Sequence, residues 1–174
     1  VTNNGNSFAV GFHTGVLLMM RDNHTRLGVN YQSKITHHFT GNSQLMGPLA
    51  SSDFLGGVLS NDAVFSSDTL RSNPINFPDI ITLSGYHDLN KKWALLGSVV
   101  FSGWSSLQSI ELDNVAGFDP SLGRATLVDF VSTEDYRDTW RFALGVNYRI
   151  NEWWMLRTGG GYDQTPTINS ERTV

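Results

Sequence analysis

Apolar and polar residues alternate along much of this chain with a period of two. Between Thr139 and Ile150 every even-numbered residue is apolar and every odd-numbered residue is small or polar. Side chains of a β-strand point alternately to opposite faces, whereas those of a helix return to one face every 3.6 residues. The pattern therefore predicts a strand with one apolar and one polar face. Similar alternation predicts strands at 7–20, 25–39, 79–89, 93–111, 137–150 and 153–165.

Two kinds of connection join these predicted strands. The segments 41–78 and 114–136 are long, whereas short polar turns of the kind that close hairpins lie at 21–24, 90–92 and 151–152. Because short and long connections alternate, all the tight turns lie at one end of the sheet. The sequence therefore predicts an all-β fold over 1–174, a single domain built as an antiparallel up-and-down meander with both long loops at its other end.

Alternation by itself is typical of any half-buried antiparallel sheet and favours a soluble sandwich or small barrel. Several predicted strands exceed ten residues, the length that a tilted strand needs to cross the hydrocarbon layer, whereas soluble strands cluster at about 5–6 residues. Aromatic residues also lie near strand ends, where they would meet the two headgroup layers: Trp93, Trp140, Tyr148, Trp153, Trp154 and Tyr162. These features favour about six strands of a larger transmembrane β-barrel, with 41–78 and 114–136 as extracellular-side loops.

The polar sides of the predicted strands carry basic residues, notably Arg141, Arg149 and Arg157. Arginine is costly in a dry core but common in the water-filled or plugged lumen of a barrel. We therefore predict that these three side chains face the lumen. There they either steer a carboxylate head group or serve packing within the lumen, and the sequence leaves both interpretations open.

The amino-acid composition excludes several classes of site and of partner for this protein. The 174 residues include no cysteine, which excludes disulfides and cysteine-based zinc sites. The net charge of −4 lacks the basic surface typical of nucleic-acid-binding proteins, so no nucleic-acid partner is expected. No apolar run approaches the ~18 residues that a helical membrane span requires.

No catalytic or metal-binding arrangement emerges from the sequence. The adjacent His37 and His38 would point to opposite faces of a strand and could not bind one ion together, and the HExxH motif is absent. Acidic residues concentrate around the second long connection, but their spacing does not select a catalytic pair. We therefore expect no enzyme, no cofactor and no metal site.

The first long connection is unusually apolar for a loop. Its candidate ligand-binding residues are Phe54, Leu55, Val58, Leu59 and Phe65. One interpretation is a loop that packs on itself or covers the barrel. The other is an external apolar patch that first captures a hydrophobic substrate. The sequence leaves this choice open as well.

Four stretches of the chain resemble strands of the FadL-type outer-membrane transporters, in the same order. They are the segments RLGVNYQSK at 26–34, WALLG with the following WS at 93–105, DTWRFALG at 138–145, and the segment from Leu156 to Pro166. Each string alone is a weak match, but together they extend over nearly the whole chain. The resemblance implies a fourteen-stranded barrel whose N-terminal segment folds into the lumen as a hatch. Neither that segment nor the family's closing strands is recognisable, so we expect an internal fragment whose open strand edges promote self-association.

By this resemblance the protein lies in the outer membrane of a Gram-negative cell and moves hydrophobic compounds inward. Long-chain fatty acids and aromatic hydrocarbons are the expected substrates, and passage through the plugged barrel would be non-covalent and energy-independent. The expected partners are the hydrophobic small molecule and outer-membrane lipid. Two alternatives remain: a soluble lipocalin-like barrel that binds hydrophobic ligands, and a general porin or adhesin.

Overall fold

The structure is a computed structural model that describes residues 1–20, 24–51 and 60–168. Helical structure in these ranges is limited to two short 3-10 turns, Pro48–Ala50 and Trp104–Ser106. The strands in chain order are β1 (Thr2–Asn6), β2 (His13–Met19), β3 (Thr25–Gln32), β4 (Ile35–His37), β5 (Thr40–Met46), β6 (Val64–Ser72), β7 (Ile75–Phe77), β8 (Ile80–Asp88), β9 (Trp93–Ser102), β10 (Ser109–Asp119), β11 (Arg124–Thr133), β12 (Thr139–Arg149) and β13 (Met155–Asp163).

Contacts along the chain define two compact units. Unit 1 consists of Val1–Val10, Thr36–Asn76 and Leu107–Glu134. Unit 2 consists of Gly11–Ile35, Phe77–Ser106 and Asp135–Val174. The short strands β4 and β7 pair with each other. None of the helices described is long and apolar enough to cross a membrane.

Within the described part of unit 2, six strands form one antiparallel sheet in the order β13-β12-β9-β8-β3-β2. Strands joined by short turns are immediate neighbours, as in the pairs β2–β3, β8–β9 and β12–β13. Their registers place all three short turns at the same end of the sheet. The predicted up-and-down meander is therefore confirmed.

The strand register collects apolar side chains on one face of this sheet, here called the apolar face. Residues that lie directly opposite one another across the strands point to the same side. One row across the apolar face consists of Val16, Val29, Leu83, Val99, Phe142 and Tyr162. No second layer of unit 2 covers this face in the described residues, since Val16 is 71% and Leu144 is 76% exposed.

The opposite face, here called the polar face, is lined by small and polar side chains. Its central row is formed almost entirely by small residues and consists of Leu17, Gly28, Ser84, Ser98, Ala143 and Gly161. An open trough of about 600 Å³ lies along this row, with Arg26 and Tyr86 among its lining residues. The alternation read from the sequence thus separates two chemically different surfaces of one sheet.

Two of the predicted strands are interrupted in the structure. The strand predicted over 25–39 ends at Gln32, because the Ser33 hydroxyl and backbone N–H both bond the backbone of Phe12. The strand predicted over 93–111 ends at Ser102, where the Gly103 N–H donates to the Asp79 carbonyl oxygen over 3.0 Å. A Cβ at position 103 would displace the end of the Asp79 side chain, which lies close to Gly103.

Unit 1 contains strands that the sequence analysis did not predict. In its described residues, β1, β5, β6, β10 and β11 form a second antiparallel sheet in the order β1-β5-β6-β10-β11. Parts of these strands occupy the segments predicted as the long loops 41–78 and 114–136. Their polar and apolar residues do not alternate regularly, because β10 is bulged between Leu112 and Val115 and β5 is irregular between Gly41 and Ser43.

A small core holds unit 1 together. Leu45, Ala50 and Ala116 are buried at its centre. Beside them, the Ser43 side chain is fully buried; its hydroxyl donates to Asn3 Oδ1 over 2.6 Å and accepts the Ala116 N–H over 2.8 Å. One hydroxyl therefore links β1, β5 and β10 where the ladder between β10 and β6 is short.

We predict that Ser43→Ala destabilises unit 1 by about 1–3 kcal/mol, because the buried Ala116 N–H loses its acceptor. Amide hydrogen exchange of the full-length protein should show faster exchange at Ala116 and along β10. Ser66→Ala on the exposed side of β6 is the matched control and should leave exchange unchanged. Equal exchange rates for Ala116 in the wild type and the Ser43→Ala variant would contradict this account.

Candidate functional site

The three arginines predicted to face the lumen lie on the polar face of the unit 2 sheet. Arg141 and Arg149 are odd-numbered residues of β12, and Arg157 of β13 stands opposite Asn147 on the same side. Arg141 and Arg149 are eight residues apart, which is about 27 Å along an antiparallel strand. The arginines share a face, but they do not converge on one head group. That this face lines a lumen stays a prediction.

Arg149 is engaged in a local network at the short-turn end of the sheet. Its guanidinium lies 3.1 Å from Asp88 Oδ1 and donates to the Tyr86 hydroxyl over 3.0 Å. The Tyr86 hydroxyl in turn donates to Asp88 Oδ1 over 2.8 Å. The Arg26 guanidinium lies over the Tyr86 ring, 5.2 Å from its centre. Four side chains from β3, β8 and β12 are thus fixed to one another across the polar face.

The other two arginines are held more loosely. Arg141 Nε lies 3.5 Å from Asp163 Oδ2, and both side chains are more than half exposed. Arg157 Nε lies 3.3 Å from the Met155 sulfur on its own strand. An exposed ion pair of this kind contributes little to stability, so the Arg141 side chain is not firmly held.

Sequence reasoning singled out Arg149 but missed Asp88 and Tyr86, which hold it. Their separation in the chain is large, and only the pairing of β8 through β9 to β12 brings them together. Tyr86 and Asp88 are two residues apart and therefore lie on the same side of β8. This spacing was the sequence signal that could have shown them to share the face of Arg149. Arg149 is therefore held in an internal ion pair with Asp88 and is not a free charge on this face.

Of the five candidate ligand-binding residues, the structure describes one. Phe54, Leu55, Val58 and Leu59 lie outside the described residues. Phe65 lies on β6, half-buried, and packs against the core formed by Leu45, Ala50 and Ala116. Its contact with a ligand stays a prediction.

Phe65 also borders an open hollow of about 290 Å³ in unit 1. The other lining residues are Ala50, Arg124, Ala125, Thr126 and Leu127. Leu127 is 43% exposed, so an apolar surface is accessible beside the guanidinium of Arg124. The hollow combines an apolar wall with one positive charge, which suits an amphipathic molecule with an acidic head group.

A carboxylate stands across the strand pair from this arginine. Asp119 and Arg124 are direct register partners at the β10–β11 turn. The hydroxyl and the backbone N–H of Ser121 both donate to the Asp119 carboxylate, and these hydrogen bonds hold the pKa of Asp119 below its usual value. Asp119 is therefore ionised at neutral pH and offsets part of the positive charge of Arg124.

Aromatic side chains mark both ends of the apolar face. At the short-turn end Trp93 and Tyr148 pack with ring centroids 4.5 Å apart, and at the other end Phe101 and Trp140 pack at 5.0 Å. The strand between them extends about 27 Å, which a tilt of about 40° projects to about 20 Å. Two aromatic bands flanking an exposed apolar zone of this height are typical of the lipid-facing surface of an outer-membrane barrel.

Two short turns repeat the same construction, which the sequence analysis did not notice. In each turn an asparagine side-chain oxygen accepts two backbone N–H groups. Asn90 accepts those of Lys92 and Trp93 over 2.8 and 3.0 Å. Asn151 accepts those of Trp153 and Trp154 over 2.9 and 2.8 Å. The Asn-x-x-Trp spacing was visible in the sequence, and it sets a tryptophan at the base of β9 and of the β12–β13 hairpin.

The described residues offer no cluster of three or more metal-ligating side chains. Buried side-chain polar atoms without a hydrogen-bond partner are also absent from this part of the chain.

Comparison with known proteins places the chain in a family. The sequence profile described as "Outer membrane protein transport protein (OMPP1/FadL/TodX)" matches residues 2–174. The long-chain fatty acid transport protein of Salmonella typhi is 28% identical over 172 residues, which is 98% of this chain and 37% of the relative. Outer membrane protein P1 of Haemophilus influenzae is 28% identical over 161 residues, 91% of this chain and 29% of the relative. The chain thus spans 37% and 29% of the lengths of these two curated relatives.

Solved structures show the same fold. A Pseudomonas aeruginosa FadL homologue superposes with a TM-score of 0.65 at 23% identity, over 98% of this chain and 39% of that structure. The toluene transporter TodX of Pseudomonas putida superposes with a TM-score of 0.57 at 21% identity, over 92% of this chain and 36% of that structure. With its apolar face, aromatic bands and antiparallel meander, the chain belongs to the OMPP1/FadL/TodX family of outer-membrane transport proteins, and it forms part of an outer-membrane β-barrel.

Proposed function

We propose that the protein carries hydrophobic compounds across the outer membrane, with long-chain fatty acids or aromatic hydrocarbons as substrates. Membership of the OMPP1/FadL/TodX family carries this proposal. Relatives are named long-chain fatty acid transport proteins, and a structural neighbour is named a toluene transporter. The passage is non-covalent and energy-independent, through a barrel that is plugged at rest.

In this proposal the unit 2 sheet is part of the barrel wall. Its apolar face contacts lipid, and its polar face lines the passage. The small residues of the central polar row, such as Gly28, Ser84 and Ser98, leave room beside the wall for a plug or a passing substrate. Arg141 and Arg157 supply positive charge to this passage, whereas Arg149 is occupied by Asp88.

The hollow at Phe65 is proposed as a place where substrate first binds. Burial of an apolar chain gains about 0.8 kcal/mol per methylene group, so a modest apolar surface can extract an acyl chain from water without a chemical step. Arg124 at the rim would contact a carboxylate head group. Phe54, Leu55, Val58 and Leu59 remain proposed members of this capture surface.

We expect Leu127→Asp to lower uptake of a labelled long-chain fatty acid at least about fivefold at low substrate concentration, because a charge replaces an apolar wall of the hollow. Uptake by cells producing the full-length protein is the measurement. Val131→Asp on the same strand is the matched control, since Val131 is 59% exposed and does not line the hollow.

If Leu127→Asp and Val131→Asp transport equally well, the hollow has no part in capture. Phe54→Asp and Leu59→Asp extend the test to the other proposed capture residues. Heat-dependent mobility on gels checks that each variant barrel is folded.

For the network at the short-turn end, we expect Asp88→Asn to lower the unfolding temperature without changing the substrate concentration that gives half-maximal uptake. The reason is that Arg149 and the Tyr86 hydroxyl lose a charged acceptor that is largely shielded from water, with 14% side-chain exposure. Asp163→Asn is the control, because its partner pair with Arg141 is exposed and should matter little. A changed half-saturating concentration at an unaltered unfolding temperature would instead make Arg149 a substrate contact.

Two experiments separate the proposed transporter from a general porin and from a soluble lipocalin-like protein. A selective transporter should take up a labelled fatty acid much faster than a small sugar of similar mass, whereas a general porin passes both. A lipocalin-like protein would be a stable monomer in plain buffer, whereas the exposed apolar face predicts that this protein requires detergent. Equal permeation of fatty acid and sugar would refute the selective-transport proposal.

A further inference from the structure

The apolar face carries a groove centred on the β8–β9 hairpin. Gly85 and Gly97 are directly opposite each other in this hairpin and both lie on the apolar face. Because neither has a side chain, the surface is lowered between larger neighbours. The groove measures about 410 Å³, and the apolar side chains that border it are Leu27, Leu83, Val99, Phe142 and Leu144.

The turn that closes the same hairpin is basic. It contains Lys91 and Lys92, two of the three lysines in the chain. Both residues are exposed, and neither forms an ion pair within 4.0 Å in the described part of the chain. The Asn90 side chain fixes the turn by accepting the N–H groups of Lys92 and Trp93. The lysine pair is therefore presented by an ordered turn.

The charges around this turn leave it positive. Asp88 is engaged by Arg149, whose backbone N–H and guanidinium also bond the carbonyl oxygens of Lys92 and Lys91. Among the residues that the structure describes, Glu152, in the adjacent β12–β13 turn, is the other acidic residue near this turn. Lys91, Lys92 and Arg149 against Asp88 and Glu152 give a net charge of about +1 here.

Tryptophans lie at the same level as the lysine pair. Trp93 follows the turn and packs on Tyr148, and Trp153 and Trp154 of the neighbouring turn are 87% and 70% exposed. Indole rings are enriched at the level of lipid head groups. Gly97 lies four residues along β9 from Trp93, about 13 Å toward the middle of the apolar face.

We propose that the β8–β9 hairpin binds one anionic phospholipid of the periplasmic leaflet. Short turns of outer-membrane barrels face the periplasm, so the lysine pair meets phospholipid head groups there. The phosphodiester contacts Lys91 and Lys92, the glycerol region lies beside Trp93, and one acyl chain occupies the Gly85–Gly97 groove. The charge of the turn selects an anionic head group, and the groove holds a single chain in place. This inference depends on the outer-membrane location and not on which substrate is transported.

Native mass spectrometry of the detergent-solubilised full-length protein tests the proposal. Phosphatidylglycerol and phosphatidylethanolamine with identical acyl chains are titrated separately, and the dissociation constant of the first bound lipid is compared. We expect the wild type to prefer phosphatidylglycerol by about 30-fold, the equivalent of the ~2 kcal/mol that two basic residues gain near an anionic membrane surface. The double variant Lys91→Ala/Lys92→Ala should bind the two lipids equally.

The groove is tested separately from the charge. A Cβ at Gly85 meets only Leu27 at an ordinary contact distance of 3.6 Å, so Gly85→Val should fold while filling the groove. It should weaken both lipids by a similar factor and keep the preference for phosphatidylglycerol. Gly160→Val, on the same face but outside the groove and with open space around its Cβ, is the control.

Lys34→Ala is the control for charge, because Lys34 follows β3 at the opposite end of the sheet from the short turns. It should leave both dissociation constants unchanged. Equal binding of the two lipids by the wild type, an undiminished preference in the lysine double variant, or unchanged binding in Gly85→Val would each overturn the proposal. Fatty-acid uptake of the same variants reports on transport independently, so a failure of lipid binding leaves the transport proposal intact.

Discussion

The structure depends on the register of the antiparallel ladder in unit 2. A strand in the hydrocarbon layer must have its backbone groups bonded to neighbouring strands, because no water is present to bond them. That ladder also decides which side chains share a face, and a slip of one residue would turn every apolar side chain toward the polar side. The pairing of Trp93 with Tyr148 and of Phe101 with Trp140 shows that register is kept over nine residues of β9 and β12.

The polar face of the unit 2 sheet combines small residues with ion pairs. Its central row of small residues leaves an open trough. Ion pairs lie toward both ends of the face, Arg141 with Asp163 at one end and Arg149 with Asp88 at the short-turn end. There Arg149, Asp88 and Tyr86 satisfy one another's hydrogen bonds, which lets charged groups lie within the wall at little cost.

Unit 1 is stabilised by a small core and by buried hydrogen bonds. Its core is made of few side chains, and a single buried hydroxyl, that of Ser43, joins three strands beside it. The hollow at Phe65 forms where this core stops short of covering Leu127. The proposed capture of hydrophobic molecules would use this incompletely covered core, because a fully packed core leaves no apolar surface to bind.

The sequence by itself determined the six-strand meander and its two faces, because each depends on local alternation and on short turns such as Asn90 to Trp93. The strands of unit 1 were not predicted, since the bulge in β10 and the register shift between β5 and β6 disrupt the period of two on which the prediction relied. The tertiary structure alone decided that Arg149 is paired with Asp88 while Arg141 and Arg157 are not firmly held, and that Phe65 borders a hollow. These contacts depend on which strands are neighbours in the sheet. The local sequence around each residue does not specify its partners on strands that are distant in the chain.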